Sequence, residues 1–159
     1  MIEKEFKKLI KKDRYQVFLF SCHVPIPLNI AIHYWFVINK KGKIDRWEIL
    51  AFPKQCKTSW RHLHKNVALP TTGLNKILYK RYLKSKSNLI LEISGKKGST
   101  AEKMVKFIEK SPQKYPFWNK YFLFGPNSNT YTRWVLDHFP ELKFKLSWRA
   151  IGKSFLKKH

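Results

Sequence analysis

The 159-residue chain has few cysteines, few acidic residues and no long apolar run. Its two cysteines, Cys22 and Cys56, are too few for a disulfide framework, so we expect two reduced thiols. No window approaches the roughly eighteen apolar residues of a transmembrane helix. Met1–Lys12 is charged and lacks the apolar core of a signal peptide. These features predict a cytoplasmic protein, or one that lies on a membrane surface.

The shortage of acidic residues leaves 33 Lys and Arg against 10 Asp and Glu, a net charge of +23. The positive electrostatic field of a chain with this charge attracts nucleic acid, anionic lipid and other polyanions. The basic residues are spread along the whole chain, most are Lys, and no nucleic-acid recognition module is visible. We therefore expect non-specific contact with polyanions or anionic membranes, and no sequence-specific binding of nucleic acid.

The chain has enough apolar residues, 43% hydrophobic and 16% aromatic, to build a full core. We expect one domain over residues 1–159, made of an N-terminal basic helix (1–13) and a core domain (15–155). The fold class predicted is α+β, a small antiparallel sheet with packed helices. The segments that carry this prediction are strands at Tyr15–Cys22, Ile30–Asn39, Ile44–Leu50, Asn88–Ser94 and Leu142–Leu146, and helices at Leu74–Tyr82, after Ser99 and from Ser128.

The second and third predicted strands form the clearest hairpin. If its turn centres between Lys41 and Gly42, paired positions place Trp35 opposite Glu48. Side chains two apart on a strand share a face. His33, Trp35 and Glu48 would then face the same way, with Glu48 diagonal to His33.

The segment Gly125-Pro126-Asn127-Ser128-Asn129-Thr130-Tyr131 predicts a helix that begins at about Ser128. Unpaired amide groups and the helix dipole favour negative charge there, so a nucleophile or an oxyanion would be stabilised. Ser128 is either a nucleophile or only a helix cap. A nucleophilic Ser needs a base, usually His, and a carboxylate that orients the base.

Each candidate also has a structural interpretation. His33 could be a buried histidine bonded to the backbone, and Glu48 could pair with a lysine. Cys22 could be a core thiol, and a Cys22–His23 dyad is disfavoured because adjacent strand residues face opposite ways. His62 and His64 have no further ligand at suitable spacing and are expected on the surface, so we expect no metal and no cofactor.

The chain resembles a bacterial domain family of unknown function with a Gly-Pro-Asn-Ser-Asn-Thr-aromatic signature. The resemblance covers roughly residues 15–155. It departs near the end, where Trp148 replaces a residue of a Pro-containing turn and Ser154 stands where an acid is usual. The matching segments are Gln16-Val17, His33-Tyr34-Trp35, Trp47-Glu48, Gly125–Tyr131 and Ala150-Ile151-Gly152-Lys153.

That family in turn resembles the permuted papain-like fold, the branch with lecithin-retinol acyltransferase-like and NlpC-like proteins. The resemblance implies that His33 is the base, Glu48 orients it, and Ser128 occupies the position of the nucleophilic cysteine. Asn127, Asn129 and Trp35 are the candidates for the oxyanion site or the cleft wall.

The leading hypothesis is a hydrolase or acyltransferase that acts on an amide or ester through an acyl-Ser128 intermediate. Its substrate would be a small molecule, a peptide or a lipid. Two alternatives stay open. One is a catalytically inactive domain that binds a ligand in the same cleft, and the other is a basic protein that binds polyanions or membrane surfaces.

Overall fold

In a computed structural model the chain folds as an α+β protein around a six-stranded antiparallel sheet. The structure describes residues 1–24, 30–74 and 87–157. The sheet order is β4-β5-β3-β2-β1-β6. The strands are β1 (Tyr15–His23), β2 (Ile32–Lys40), β3 (Lys43–Ile49), β4 (Ser59–Trp60), β5 (Leu63–Lys65) and β6 (Asn88–Gly95); the helices are α1 (Glu3–Leu9), α2 (Thr100–Glu109), α3 (Ser111–Lys114) and α4 (Ser128–Asp137), with 3-10 turns at Pro140–Leu142 and Phe155–Lys157.

The β2–β3 hairpin has the predicted register. Lys40 lies opposite Lys43 and Phe36 opposite Trp47. The two turn residues, Lys41 and Gly42, have φ angles of 52° and 94°. Two positive φ angles are typical of the tight turn that matches the twist of a hairpin. The register puts Glu48 on the same face as His33.

The first face of the sheet carries the larger core. Helices α2 and α4 pack on it and bury apolar side chains such as Met104 and Val135. Ser99 caps α2 as predicted, since its hydroxyl accepts from the amide of Glu102 at 3.3 Å. The Glu102 carboxylate in turn accepts from the backbone N–H of Gly98 at 2.6 Å, just before the cap.

The second face is covered in part by α1. Phe6 packs edge-on against Phe18 and Phe20, with ring centroids 5.1 and 5.5 Å apart. The aromatic cluster on this face continues through Trp35, which is fully buried. The basic residues of α1 therefore surround one deeply buried aromatic anchor.

Two segments differ from the predictions. The tail Leu142–Leu146 is not a strand, because the left-handed Lys143 (φ 50°) turns the chain after the 3-10 turn and Leu146 packs into the first core. The short strands β4 and β5 were missed. His64 lies on β5 and is fully buried, so its expected surface position was wrong. The predicted helix Leu74–Tyr82 falls, beyond its first residue, outside the described residues.

Candidate active site

The helix α4 begins at Ser128, as the motif predicts, and Asn127 caps it. The Asn127 side-chain oxygen accepts from the amides of Asn129 and Thr130 at 3.0 and 3.2 Å. These two bonds satisfy N–H groups that the first turn of a helix leaves unpaired. Ser128 is thereby fixed as the first residue of the helix.

The same Asn127 side chain ties the motif to the C-terminal segment. Its Nδ2 donates to the carbonyls of Phe122, Leu123 and Ile151 at 3.3, 2.8 and 3.1 Å. Gly152 has φ 88°, and a Cβ there would lie 2.3 Å from Asn127 Nδ2. Only glycine fits this close approach without strain. The Ala150–Lys153 segment thus packs directly behind the nucleophile position.

Ser128, His33 and Glu48 form a buried hydrogen-bonded chain. His33 Nδ1 lies 2.9 Å from Ser128 Oγ, and His33 Nε2 lies 3.0 Å from Glu48 Oε2. A carboxylate only accepts, so Nε2 carries a proton, and in the neutral imidazole Nδ1 then accepts from the Ser128 hydroxyl. The hydroxyl is therefore placed to give its proton to the imidazole.

Glu48 is held by a second buried partner, Arg46. Arg46 Nε and Nη2 donate to the two carboxylate oxygens of Glu48 at 2.5 and 2.9 Å. Its Nη1 donates to the carbonyls of Leu69 and Thr72, and its guanidinium stacks 4.5 Å from the Trp35 ring. The fork geometry of Arg suits such a two-point carboxylate contact. Sequence reasoning missed Arg46, although strand alternation places it on the face of Glu48.

The charge of Glu48 is stabilised despite its complete burial. Burial raises the pKa of Glu48, but the Arg46 charge and hydrogen bonds from His33 and Arg46 outweigh burial and lower the pKa to about 2. Glu48 is therefore ionised at neutral pH. An ionised carboxylate fixes the tautomer of His33 and would stabilise an imidazolium at that position.

Cys22 lies opposite His33 in the β1–β2 pair. It is buried, and its Sγ accepts from the amide of Leu74 at 3.3 Å. Burial raises the pKa of Cys22 to about 11, so it is a thiol and not a thiolate at neutral pH. Cys22 packs in the core of the second face, whereas its neighbour His23 is exposed.

A cavity of about 70 Å³ reaches His33 and Ser128. Asn127 and Asn129 contribute to its wall. Their amide groups are committed elsewhere, since Asn129 Nδ2 donates to the carbonyls of Ile32 and Ile151 at 2.8 and 2.9 Å. Both asparagines line the cavity, and the side-chain NH2 group of each is already bound to backbone carbonyls.

Trp35 lies behind His33 instead of on the cleft wall. It is fully buried, stacks on His33 at 5.7 Å, and donates from Nε1 to the carbonyl of Pro70 at 2.9 Å. Trp35 is not among the residues that line the cavity at His33 and Ser128. The residue instead supports His33 and Arg46 from the core.

A second Ser–His pair was not predicted. Ser59 Oγ lies 2.7 Å from His64 Nδ1, and His64 Nε2 lies 3.0 Å from the carbonyl oxygen of Phe52. Burial lowers the pKa of His64. The cluster also holds Cys56, whose Sγ is 3.3 Å from Ser59 Oγ. Among the described residues no three His, Cys, Asp or Glu side chains are grouped to bind a metal ion.

The chain belongs to the family described as Protein of unknown function (DUF3750), which matches residues 14–155. No curated protein matches the chain. No solved structure matches it either. Within the described ranges, no helix has the length and apolar character needed to cross a bilayer.

Proposed function

We propose that the protein is a hydrolase or acyltransferase of permuted papain-like type that acts on an amide or ester through Ser128. The observation that carries the proposal is the buried chain from Ser128 through His33 to Glu48, with contacts of 2.9 and 3.0 Å. A serine that only begins a helix does not need a histidine, and a structural histidine does not need a carboxylate held by a buried arginine. The combination is the one that nucleophilic catalysis uses.

In the first step the hydroxyl proton of Ser128 passes to His33 Nδ1 as Oγ attacks the acyl carbon. A new C–O bond forms, and the carbonyl π electrons move to the oxygen. When the tetrahedral intermediate collapses, the bond to the leaving amine or alcohol breaks and His33 returns the proton to that group. Glu48 stabilises the imidazolium between these events. The product is an acyl-Ser128 ester.

In the second step His33 takes a proton from water or from an acceptor alcohol or amine. The acceptor oxygen or nitrogen bonds to the acyl carbon, and Ser128 leaves with the proton. Water gives hydrolysis, and another acceptor gives transfer. Because a serine alkoxide is not stable at neutral pH, proton removal must accompany attack, unlike the preformed thiolate of a cysteine enzyme.

We assign the oxyanion contact to the backbone N–H of Ser128. It belongs to the first turn of α4, where amides point toward a bound anion. Asn127 already occupies the N–H groups of Asn129 and Thr130. The amide of the nucleophile itself is therefore the donor best placed to bind the developing charge.

A fluorophosphonate probe tests the proposal, because it phosphonylates a serine only when a base activates it. The parent protein should be labelled at Ser128, identified by peptide mass. Ser128→Ala should abolish labelling, and Ser59→Ala, the matched control at the other Ser–His pair, should leave it unchanged. Absence of labelling in the folded parent protein would overturn the enzyme proposal and favour an inactive ligand-binding domain.

A specific surface favours membrane association as a second candidate function. Phe122, Phe124 and Trp148 are 61, 76 and 77% exposed. The first two lie in the turn before Ser128, and Phe124 shares a surface pocket with Trp148. Exposed aromatic side chains on a strongly cationic protein suit an anionic lipid surface, which attracts the charge and accepts the rings.

Vesicle sedimentation tests this second candidate. Binding should be strong to vesicles rich in phosphatidylglycerol and weak to pure phosphatidylcholine. Phe124→Ser with Trp148→Ser should reduce it at least about tenfold, since each ring contributes on the order of 1–2 kcal/mol of apolar burial. Phe52→Ser, a change at another exposed aromatic, is the control. Equal binding by the double variant would show that charge alone drives association.

A further inference from the structure

A groove runs beside the C-terminal half of α4 and is separate from the cavity at His33 and Ser128. It consists of two cavities of about 530 and 270 Å³ that share Arg133 and Lys145 as wall residues. The wall opposite α4 is the unpaired tail after the 3-10 turn, which includes Phe144. Because this tail is not a strand of the sheet, it leaves space between itself and the helix.

The smaller cavity is cationic. Arg133, Lys145, Lys153 and Lys157 line it with Leu146 and Ser154, and its described wall has no acidic residue. Lys153 Nζ is held in place by the carbonyls of Leu146 and Ser147 at 3.2 and 2.7 Å. Convergent like charges repel one another unless an anion lies between them.

Arg133 is the residue that joins the two cavities. Its Nη2 pairs with Asp137 one turn along the helix, which orients the guanidinium. Its Nε is buried and has no hydrogen-bond acceptor among the described residues. A buried N–H without an acceptor carries a desolvation cost that an anionic ligand would offset.

The larger cavity is mainly apolar, although Asp137 and Lys143 also line it. Its volume lies in the range that small-molecule ligands occupy. Apolar walls next to a cationic end match a ligand that has a hydrocarbon chain and a negative head. The apolar wall residues are Leu136, Phe139, Pro140, Leu142 and Phe144.

We propose that this groove binds a single-chain anionic amphiphile, with its acyl chain in the larger cavity and its head group among the cations of the smaller one. The larger cavity lies along the C-terminal end of α4, and the residues that line either cavity do not include Ser128, His33 or Glu48. Binding in the groove does not depend on the chemistry proposed at Ser128. A carboxylate and a phosphate head group would use the same charge–charge contacts with Arg133 and Lys145.

Calorimetric titration of the full chain with decanoate, below its micelle concentration, tests the proposal. One molecule should bind. Octanoate, two methylenes shorter, should bind about fifteenfold more weakly, because each buried methylene contributes about fourfold in affinity. Decanol and acetate, which lack the head or the chain, should each bind at least about tenfold more weakly than decanoate. Decyl phosphate shows whether a phosphate head is accepted in place of the carboxylate.

Two variants locate the site. Lys145→Glu should weaken decanoate binding about tenfold or more, whereas Lys97→Glu, the same charge change at an exposed position on another part of the protein, should change it less than twofold. Phe144→Ser should weaken decanoate and leave acetate unchanged. Binding of many molecules per chain, equal affinity for octanoate and decanoate, or equal loss in the Lys145 and Lys97 variants would overturn the proposal.

Discussion

The protein contains two serine–histidine pairs that differ in the third partner. In each pair a serine hydroxyl meets Nδ1 of a buried histidine, at 2.9 Å for Ser128–His33 and 2.7 Å for Ser59–His64. Nε2 of His33 faces the carboxylate of Glu48, while Nε2 of His64 faces a backbone carbonyl. A carboxylate stabilises an imidazolium by a full charge, whereas a carbonyl offers only a dipole.

The two serines also differ in the secondary structure around them. Ser128 opens a ten-residue helix, so its position favours developing negative charge. Ser59 opens a two-residue strand and has no such field. Burial lowers the pKa of His64, which keeps that ring neutral at physiological pH. The Ser128–His33 pair therefore has a carboxylate partner and a helix N-terminus, and the Ser59–His64 pair has neither.

The largest difference should appear when each histidine is replaced. His33→Gln should reduce the rate of fluorophosphonate labelling about a thousandfold or more, because the Ser128 hydroxyl loses its base. His64→Gln should change the rate less than about threefold while circular dichroism shows an intact fold. Equal effects of the two variants would remove the distinction between the pairs.

Loss of the Glu48 carboxylate should also lower the free energy of unfolding. Glu48→Gln leaves the buried Arg46 without a counter-charge, and breaking a buried ion pair from one side typically costs about 3–5 kcal/mol. His64→Gln removes only neutral hydrogen bonds, worth about 1 kcal/mol each. Urea unfolding followed by tryptophan fluorescence measures both.

The double variant Glu48→Gln with Arg46→Met provides the matched control. It removes both charges together, so it should recover part of the stability lost in Glu48→Gln. If Glu48→Gln lowers the free energy of unfolding by less than about 1 kcal/mol, the buried Arg46–Glu48 ion pair does not contribute substantially to stability.

The contributions of the two pairs to the free energy of unfolding should change in different pH ranges. The folded pKa of Glu48 is about 2 against an ordinary value of 4.5, so its contribution is complete above 4.5 and is lost as pH falls toward 2. That loss amounts to roughly 3 kcal/mol. The folded pKa of His64 lies below its ordinary 6.5, so its contribution begins to fall at about 6.5 as pH decreases.

Unfolding free energies measured from pH 8 to pH 2 separate the two effects. The decline that begins near pH 6.5 should be smaller in His64→Gln. The decline below pH 4.5 should be smaller in Glu48→Gln. Identical pH profiles for the parent protein and both variants would contradict the assigned protonation states.

Strand alternation and turn chemistry were sufficient to predict the centre of the sheet. The β2–β3 register follows from the Lys41-Gly42 turn, and the helix start follows from the capping residues around Ser128. These features depend on neighbours in the sequence. They also place His33 and Glu48 on one face, so the candidate triad could be proposed before the structure was described.

Features that depend on distant segments could not be predicted in this way. Strands β4 and β5 are two and three residues long and carry too little periodicity to be seen. The clamp between Asn127 and the carbonyl of Ile151 joins residues 24 positions apart. The burial of Arg46 depends on the carbonyls of Leu69 and Thr72, which no local pattern reveals.

Cysteine substitution at each serine tests most directly whether only Ser128 lies in an activating environment. The background variant should carry Cys56→Ala. Partial burial tends to raise the pKa of Cys56, but hydrogen bonds from Ser59 and Thr58 lower it, so this thiol would label in the parent protein. Cys22 can remain because its pKa is raised to about 11.

In that background the rate of iodoacetamide labelling is measured against pH for Ser128→Cys and for Ser59→Cys. We expect Ser128→Cys to label rapidly with a step well below pH 8.5, since a helix N-terminus and an adjacent histidine stabilise a thiolate. Ser59→Cys should label no faster than a free thiol, whose pKa is about 8.5. A Ser128→Cys rate that rises only above about pH 8.5, as for a free thiol, would show that Ser128 is only the first residue of α4 and not a nucleophile.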